Sequence, residues 1–131
     1  MASLVPTVGK AILSGRMIGA TPTQTEPHYV GWGTGAGAGA AASTDVSTPA
    51  PEARANGTST QVTTTVTNDT HQVVGTITAT AARTITNVGV FDAAGSGSPP
   101  SGGVLYAIFD GLSQVLASGD SIQFTAKVQF T

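Results

Sequence analysis

The sequence contains no cysteine. Disulfide bridges, thiol catalysis and cysteine-ligated zinc are therefore excluded. Charge is nearly as scarce. Asp, Glu, Lys and Arg make up 9% of the 131 residues, against roughly a quarter in an average soluble domain. The five bases, Lys10, Arg16, Arg54, Arg83 and Lys127, are scattered, and the formal net charge is -2. No basic patch stands ready to neutralise phosphates, so no nucleic-acid partner is expected. Long apolar runs are also missing. Nothing approaches the roughly 20 residues that span a bilayer as a helix, and no membrane partner is expected. Met1 to Ile18 holds only short apolar stretches broken by Gly9, Lys10, Gly15 and Arg16, unlike a signal peptide. The expected place of synthesis is a cytoplasm.

Groups for catalysis are few. There are two histidines, His28 and His71, both beside strand candidates, and no nucleophile elbow accompanies them. Asp92, Asp110 and Asp120 stand at strand ends but lack the Asp-x-Asp-x-Asp spacing of a calcium loop, and Asp is common in turns. Gly33, Gly35 and Ala38 match G-x-G-x-x-G/A, yet Pro49 and Pro51 follow and no βαβ unit is visible. Asn56-Gly57-Thr58 and Asn68-Asp69-Thr70 match the glycosylation acceptor pattern, and read as Thr-rich turns. Trp32, Tyr29 and Tyr106 are too few and too separated to outline a carbohydrate groove, and read as core or interface. The expectation is no enzyme, no catalytic or metal residues and no cofactor.

What is present is a pattern of β-strands. Thr60 to Thr67 alternates Val62, Thr64 and Val66 with Gln61, Thr63 and Thr65. After Asn68-Asp69, His71 to Thr80 sets Val73, Gly75, Ile77 and Ala79 against Val74, Thr76, Thr78 and Thr80, which predicts a hairpin. The abundant Thr suits a pleated surface. Arg83 to Phe91 changes phase near Asn87 and Gly89, which predicts a bulge or bend. Val104 to Asp110 is apolar on both faces, as a central strand would be, with Leu105, Ala107 and Phe109 opposing Val104, Tyr106 and Ile108. After the turn at Ser118-Gly119-Asp120, Ser121 to Phe130 alternates Ile122, Phe124, Ala126, Val128 and Phe130 with Gln123, Thr125, Lys127 and Gln129. His28 to Gly33 is a further short strand. Thr7 to Ile18 places Val8, Ala11, Ile12 and Gly15 on one helical face, with Thr7 as cap and Gly19 as terminator. It reads as a short helix or as an extended arm.

The expected fold is all-β, an antiparallel β-sandwich or jelly-roll-like barrel. Residues 1–27 form an N-terminal arm with the short helix. Residues 28–131 form one sandwich domain with a long Gly/Ala/Pro loop at 33–58, flexible in its first half. Glu52 and Arg54 offer an acid–base pair at i, i+2. A chain with so few charges is poorly protected from self-association, so copies are expected to pack on each other or on a larger body.

Several segments resemble small virion proteins of tailed phages. Tyr29-Val30-Gly31-Trp32-Gly33-Thr34-Gly35 is similar to their "GWGTG" or "ALGTG" opening. The resemblance continues through Glu52-Ala53-Arg54 and residues 62–70. It takes in Thr84 to Asp92, similar to "ITNAGLFDA", and closes with Ser118 to Phe124, similar to "GDSIQFT". Together these cover most of residues 29–131, departing in the longer loop from Gly95 to Gly103. Proteins of this group are labelled capsid decoration (cement) proteins, tail fibre proteins or simply structural proteins, and the resemblance implies a virion component with a β-sandwich. For a chain this small, shaftless and nearly uncharged, the leading expectation is a decoration protein bound through the major capsid protein to the outer surface of the head. It would bridge neighbouring subunits there, self-associating as a trimer or else a dimer, with the N-terminal arm and the Gly33 to Pro51 loop ordering on contact. The alternative is a trimeric tail fibre, baseplate or neck adaptor. The family offers no catalytic motif.

Overall fold

The computed structural model describes residues 3–18 and 25–131. The chain is β-rich with one short helix: β1 (Ser3–Leu4), α1 (Thr7–Met17), β2 (Tyr29–Gly33), β3 (Ala55–Asn56), β4 (Thr58–Val62), β5 (Thr70–Thr78), β6 (Arg83–Ile85), β7 (Asn87–Phe91), β8 (Leu105–Phe109), β9 (Gln114–Leu116) and β10 (Ser121–Gln129). All strand pairings are antiparallel. A five-stranded sheet runs β1-β8-β7-β2-β3, a three-stranded sheet runs β10-β5-β4, and β6 pairs with β9 in a separate ribbon.

The predicted hairpin is β4–β5. In β5, Val73, Gly75 and Ile77 are buried while Thr76 and Thr78 face solvent. Each buried Val or Ile contributes about 2 kcal/mol. These residues meet Val30 and Trp32 of β2, Val88 and Val90 of β7, and Ala107 and Phe109 of β8 in the core between the two sheets.

A second cluster lies on the opposite face of the five-stranded sheet, where Phe91, Leu105 and Ile108 pack under Val46. Two facing glycines, Gly31 and Gly89, leave the room. A Cβ on Gly89 would lie 2.8 Å from Val46 and 2.9 Å from Leu105. The five-stranded sheet is thus covered on both sides, which explains why every residue of β7 and β8 is buried.

The phase change expected near Asn87 and Gly89 is present, but the break falls at Thr86. There the strand splits into β6, in the ribbon, and β7, in the five-stranded sheet. The Thr86 amide donates to the Gly33 carbonyl at 3.0 Å, and its own carbonyl accepts the Leu112 amide at 3.0 Å. Asn87 is fully buried. The register shift sits further on, between Val90 and Phe91, which pair with Ala107 and Leu105 and leave Tyr106 as the extra residue. A bulge directs neighbouring residues to one face. Tyr106 and Ala107 therefore both enter the inter-sheet core, and Leu105 joins Ile108 on the other face. This corrects the simple alternation expected for residues 104–110.

The helix is present, and an extended arm is not. Its buried residues are Gly9 and Ile12, with Val8 and Leu13 partly buried and Ala11 exposed. Gly9 permits backbone contact with β8, since a Cβ there would lie 2.3 Å from the Tyr106 carbonyl oxygen. Pro6 rather than Thr7 occupies the N-cap position. Gly19 and most of the Ala20 to Pro27 connector lie outside the described residues.

Three further differences are local. β4 ends at Val62, and residues 63–69 form a loop organised by Asp69, whose carboxylate accepts the amides of Thr64 (2.8 Å), Thr65 (2.9 Å) and Val66 (3.0 Å). Such local bonds compete with a ladder. The segment expected as a loop over 33–58 contains β3 and the start of β4, and its first half is pinned. Thr34 and Gly35 donate to the Thr48 and Ser47 carbonyls at 3.0 Å, and Gly39 donates to Asp110 Oδ2 at 2.6 Å. Finally, β10 stops at Gln129 and Phe130 is 49% exposed.

Candidate functional site

The polar residues singled out by sequence fall into separate structural roles. Glu52 and Arg54 do not pair with each other. The Glu52 carboxylate accepts Trp32 Nε1 at 3.1 Å, the Thr80 amide at 2.9 Å, Thr80 Oγ1 at 2.7 Å and Arg83 Nε at 2.7 Å. Burial alone raises its pKa. The bonds from Thr80 and Arg83 outweigh that and hold it at about 2. Arg54 lies over the Phe91 ring at 3.5 Å and donates to the carbonyls of Ala93 (3.0 Å) and Gly102 (2.7 Å), with Asp45 at 3.7 Å. Both side chains tie loops to the five-stranded sheet.

The three strand-end aspartates stay apart. Asp92 Oδ1 accepts the Val104 amide (2.6 Å), Asp110 Oδ2 the Gly39 amide, and Asp120 Oδ2 the Ala117 amide (2.8 Å). Among the described residues, no three His, Asp or Glu side chains gather as metal ligands do. The Gly33 to Gly39 tract opens no helix. A Cβ at Gly33 would lie 2.2 Å from the Ser47 carbonyl oxygen, so close packing explains that glycine. Trp32 and Tyr106 are buried in the inter-sheet core, and Tyr29 packs on the opposite cluster, so the aromatic residues line no common groove.

One chemically suggestive contact was not visible in the sequence. His71 Nε2 lies 2.8 Å from Ser59 Oγ, across β5 and β4. The strand register places the two as diagonal neighbours on one face. The imidazole packs edge-on to Tyr106, at 5.3 Å between ring centroids. Burial lowers the His71 pKa, and the Glu26 charge works against that. The ring is therefore a neutral base at neutral pH. A groove of about 310 Å³ opens beside it, lined in part by Glu26, Ser59, Gln61, Asn68 and Phe130. Among the described residues no carboxylate bonds the ring, so the third member of a triad is missing. His28 is elsewhere, its Nδ1 2.8 Å from the Glu26 carbonyl oxygen and its ring on Tyr29. Among the described residues every buried side-chain nitrogen or oxygen has a hydrogen-bond partner, so the interior leaves no polar group aimed at a ligand.

The surface is different. Ile122, Phe124 and Val128 of β10 are only half-buried against the inter-sheet core. Beside them a groove of about 350 Å³ is walled by Val88, Phe109, Leu112, Phe124 and Ala126, with Gln123, Thr125 and Lys127 of β10 at its rim. It continues past Phe109 into a second groove of about 300 Å³, with Leu4, Val5, Ala107 and Val128 in its walls. Val66 is 66% exposed and Val115 72%. The apolar flank along β10 is the site best suited to a partner. The alternation of Ser121 to Phe130 was legible in the sequence. That its apolar face stays half open was not, because nothing in one strand says how much of the facing sheet reaches it.

Set against known protein families, curated protein sequences and solved structures, the chain matches none.

Proposed function

We propose that the chain is a non-enzymatic structural subunit of a tailed-phage particle. It binds the outer surface of the head through the major capsid protein and stabilises the shell by bridging neighbouring subunits. The observation that carries this reading is the apolar surface of a nearly uncharged chain: the β10 flank, Val66, Val115 and Phe130. Of these, the β10 flank is the extended one, with its two grooves sharing Phe109 and Lys127 in their walls, and extended apolar surface marks interaction sites. With only 9% charged residues, little else keeps copies apart. The buried polar groups Glu52, Arg54, Asn87, Asp92 and Asp110 hold the fold together, which leaves shape-matched contact as the means of action. The segments that resemble small phage virion proteins supply the particle, and a closed ring such as a trimer at a local threefold is the natural arrangement of identical chains.

The expected location is the head surface, reached from the host cytoplasm. Mass-spectrometric counting on purified particles tests this. Hundreds of copies, retained on heads separated from tails, are expected. A few copies confined to the tail would overturn the head assignment and favour the trimeric tail fibre, baseplate or neck adaptor.

A further inference from the structure

The five-stranded sheet ends on both sides in a strand of only two residues. Along β8, β1 pairs with Phe109 and Ile108, and Gly9 of α1 sits against the backbone at Leu105 and Tyr106. At the other edge stands β3, a strand of two residues. The three-stranded sheet ends on one side in β4, five residues long, and on the other in β10, nine residues long and paired with β5 in unbroken register. Among the described residues β5 is the only strand partner of β10. It has no proline and no bulge, and Lys127 is its single charge. These are the devices by which proteins blunt an edge, and here they are almost absent.

The polarity of this edge follows from its ends. The Phe130 amide donates to the Asp69 carbonyl, and the Asp120 carbonyl accepts the Ala79 amide. Residues alternate along a strand, so even-numbered backbone groups point towards β5. The N–H and C=O groups of Ser121, Gln123, Thr125, Lys127 and Gln129 therefore point outward. Their side chains lie on the exposed face, and those of Ile122, Phe124, Ala126 and Val128 on the apolar one.

We infer that this edge pairs with the β10 of a second copy, antiparallel about a twofold axis at Thr125, so that two three-stranded sheets become one of six. This register uses the whole strand. It sets Ser121 opposite Gln129, Gln123 opposite Lys127, and Thr125 opposite its own copy. On the apolar face Phe124 meets Ala126 and Ile122 meets Val128, each large side chain beside a smaller or branched one. The only charge never faces itself, and like charges directly opposite are what would oppose pairing. The pairing extends the apolar flank across the axis, since Phe124 and Lys127 both line the groove beside β10. An isologous contact of this kind is self-complementary. It belongs to the strand itself and does not depend on the chain's place in a particle.

Sedimentation and light scattering on the purified full chain at micromolar concentrations test the pairing. The expected mass is twice 12.9 kDa, or an even multiple of it where copies also close into rings. Thr125→Pro removes an outward N–H without touching a bond to β5, and is expected to halve the assembly mass. Gln123→Lys sets a positive charge opposite Lys127 on both sides of the axis and is expected to weaken association about five-fold. Gln123→Glu is expected to tighten it by about the same factor. Both Gln123 variants lie on the solvent face, so they report even if the proline variant fails to fold. A monomer or an odd-numbered assembly of the parent chain overturns the pairing. So does an even-numbered assembly whose affinity is unmoved by the two Gln123 variants.

Discussion

The two main sheets of this protein are finished to different degrees. The five-stranded sheet is buried on both faces, with Trp32 and Val88 on the inner side and Phe91 and Leu105 under Val46 on the outer side. The three-stranded sheet has one buried face, and β10 holds even that face half open. The difference comes from what folds back. The loop between β2 and β3 returns to the five-stranded sheet, clamped by Arg54, Asn87 and Asp110, and α1 packs on it through Gly9. Among the described residues the loop at 63–69 reaches β10 only at its end, through Gln129. Closure of a sheet in a small chain is thus a local accomplishment of particular loops.

The largest effect that sharpens this contrast is a pair of truncations. Phe91→Ala, at a site with no solvent exposure, is expected to cost about 4 kcal/mol. Phe124→Ala, at a half-buried site, is expected to cost about 1–2 kcal/mol in the monomer. Urea unfolding measures both. Equal costs would mean that β10 is as closed as β7.

Next comes the tie between the inner core and the chain that follows β5. Glu52→Gln removes the charge that faces Arg83 and turns an amide NH2 toward donors, and is expected to cost about 3 kcal/mol. The indole fluorescence of Trp32 should respond in the same variant, since its Nε1 donates to this carboxylate.

Acid should discriminate the two regions by pH. Burial favours neutral His71, so its contribution is complete above its ordinary value of 6.5 and is lost as the pH falls below it. The bonds to Glu52 favour its charged form, so that contribution is complete above 4.5 and is lost as the pH falls towards about 2. Thermal melts across the acid range should therefore show two declines. The first should vanish in His71→Gln. The second should shrink in Glu52→Gln, and what remains of it should be the share of the Asp69 carboxylate, which its own hydrogen bonds also hold in the charged form.

The smallest effect lies in the loop that covers the five-stranded sheet. Thr48 is exposed with a φ of 49°, which a β-branched residue adopts only under strain. Thr48→Asn is expected to raise stability by up to about 1 kcal/mol, read as a small increase in Tm, because Asn tolerates this region.

Much of the fold could be read from alternation, and the exceptions share a cause. β5 and β10 are long and one-sided, so their periodicity of two survives in the sequence. β1, β3 and β9 have two or three residues each, too few to show a period. The faces of β8 depart from simple alternation because a bulge inverts the pattern, and its extra residue, Tyr106, is as apolar as its neighbours. Thr63 to Thr67 has strand composition and forms a loop because Asp69, further along, captures its amides. The contact between Ser59 and His71 depends on the register of β4 against β5, which no spacing within either strand encodes. The open flank of β10 is likewise a property of the assembled sandwich. Its alternation says which side is apolar, not how much of it remains uncovered.

The Asp69 loop has one more consequence. Its carboxylate also accepts Gln129 Nε2 at 2.8 Å, so the tip is fastened to the end of β10 as well as to itself. These bonds hold the Asp69 carboxyl well below the usual carboxylate range, the Val66 amide foremost. Val66 therefore projects from a tip whose backbone is already set. Ordering a loop on contact costs binding free energy, and a group presented in its final shape avoids that loss. The most exposed aliphatic side chain of the three-stranded sheet's hairpin is thus a preorganised probe, rigid at its base and bare at its end.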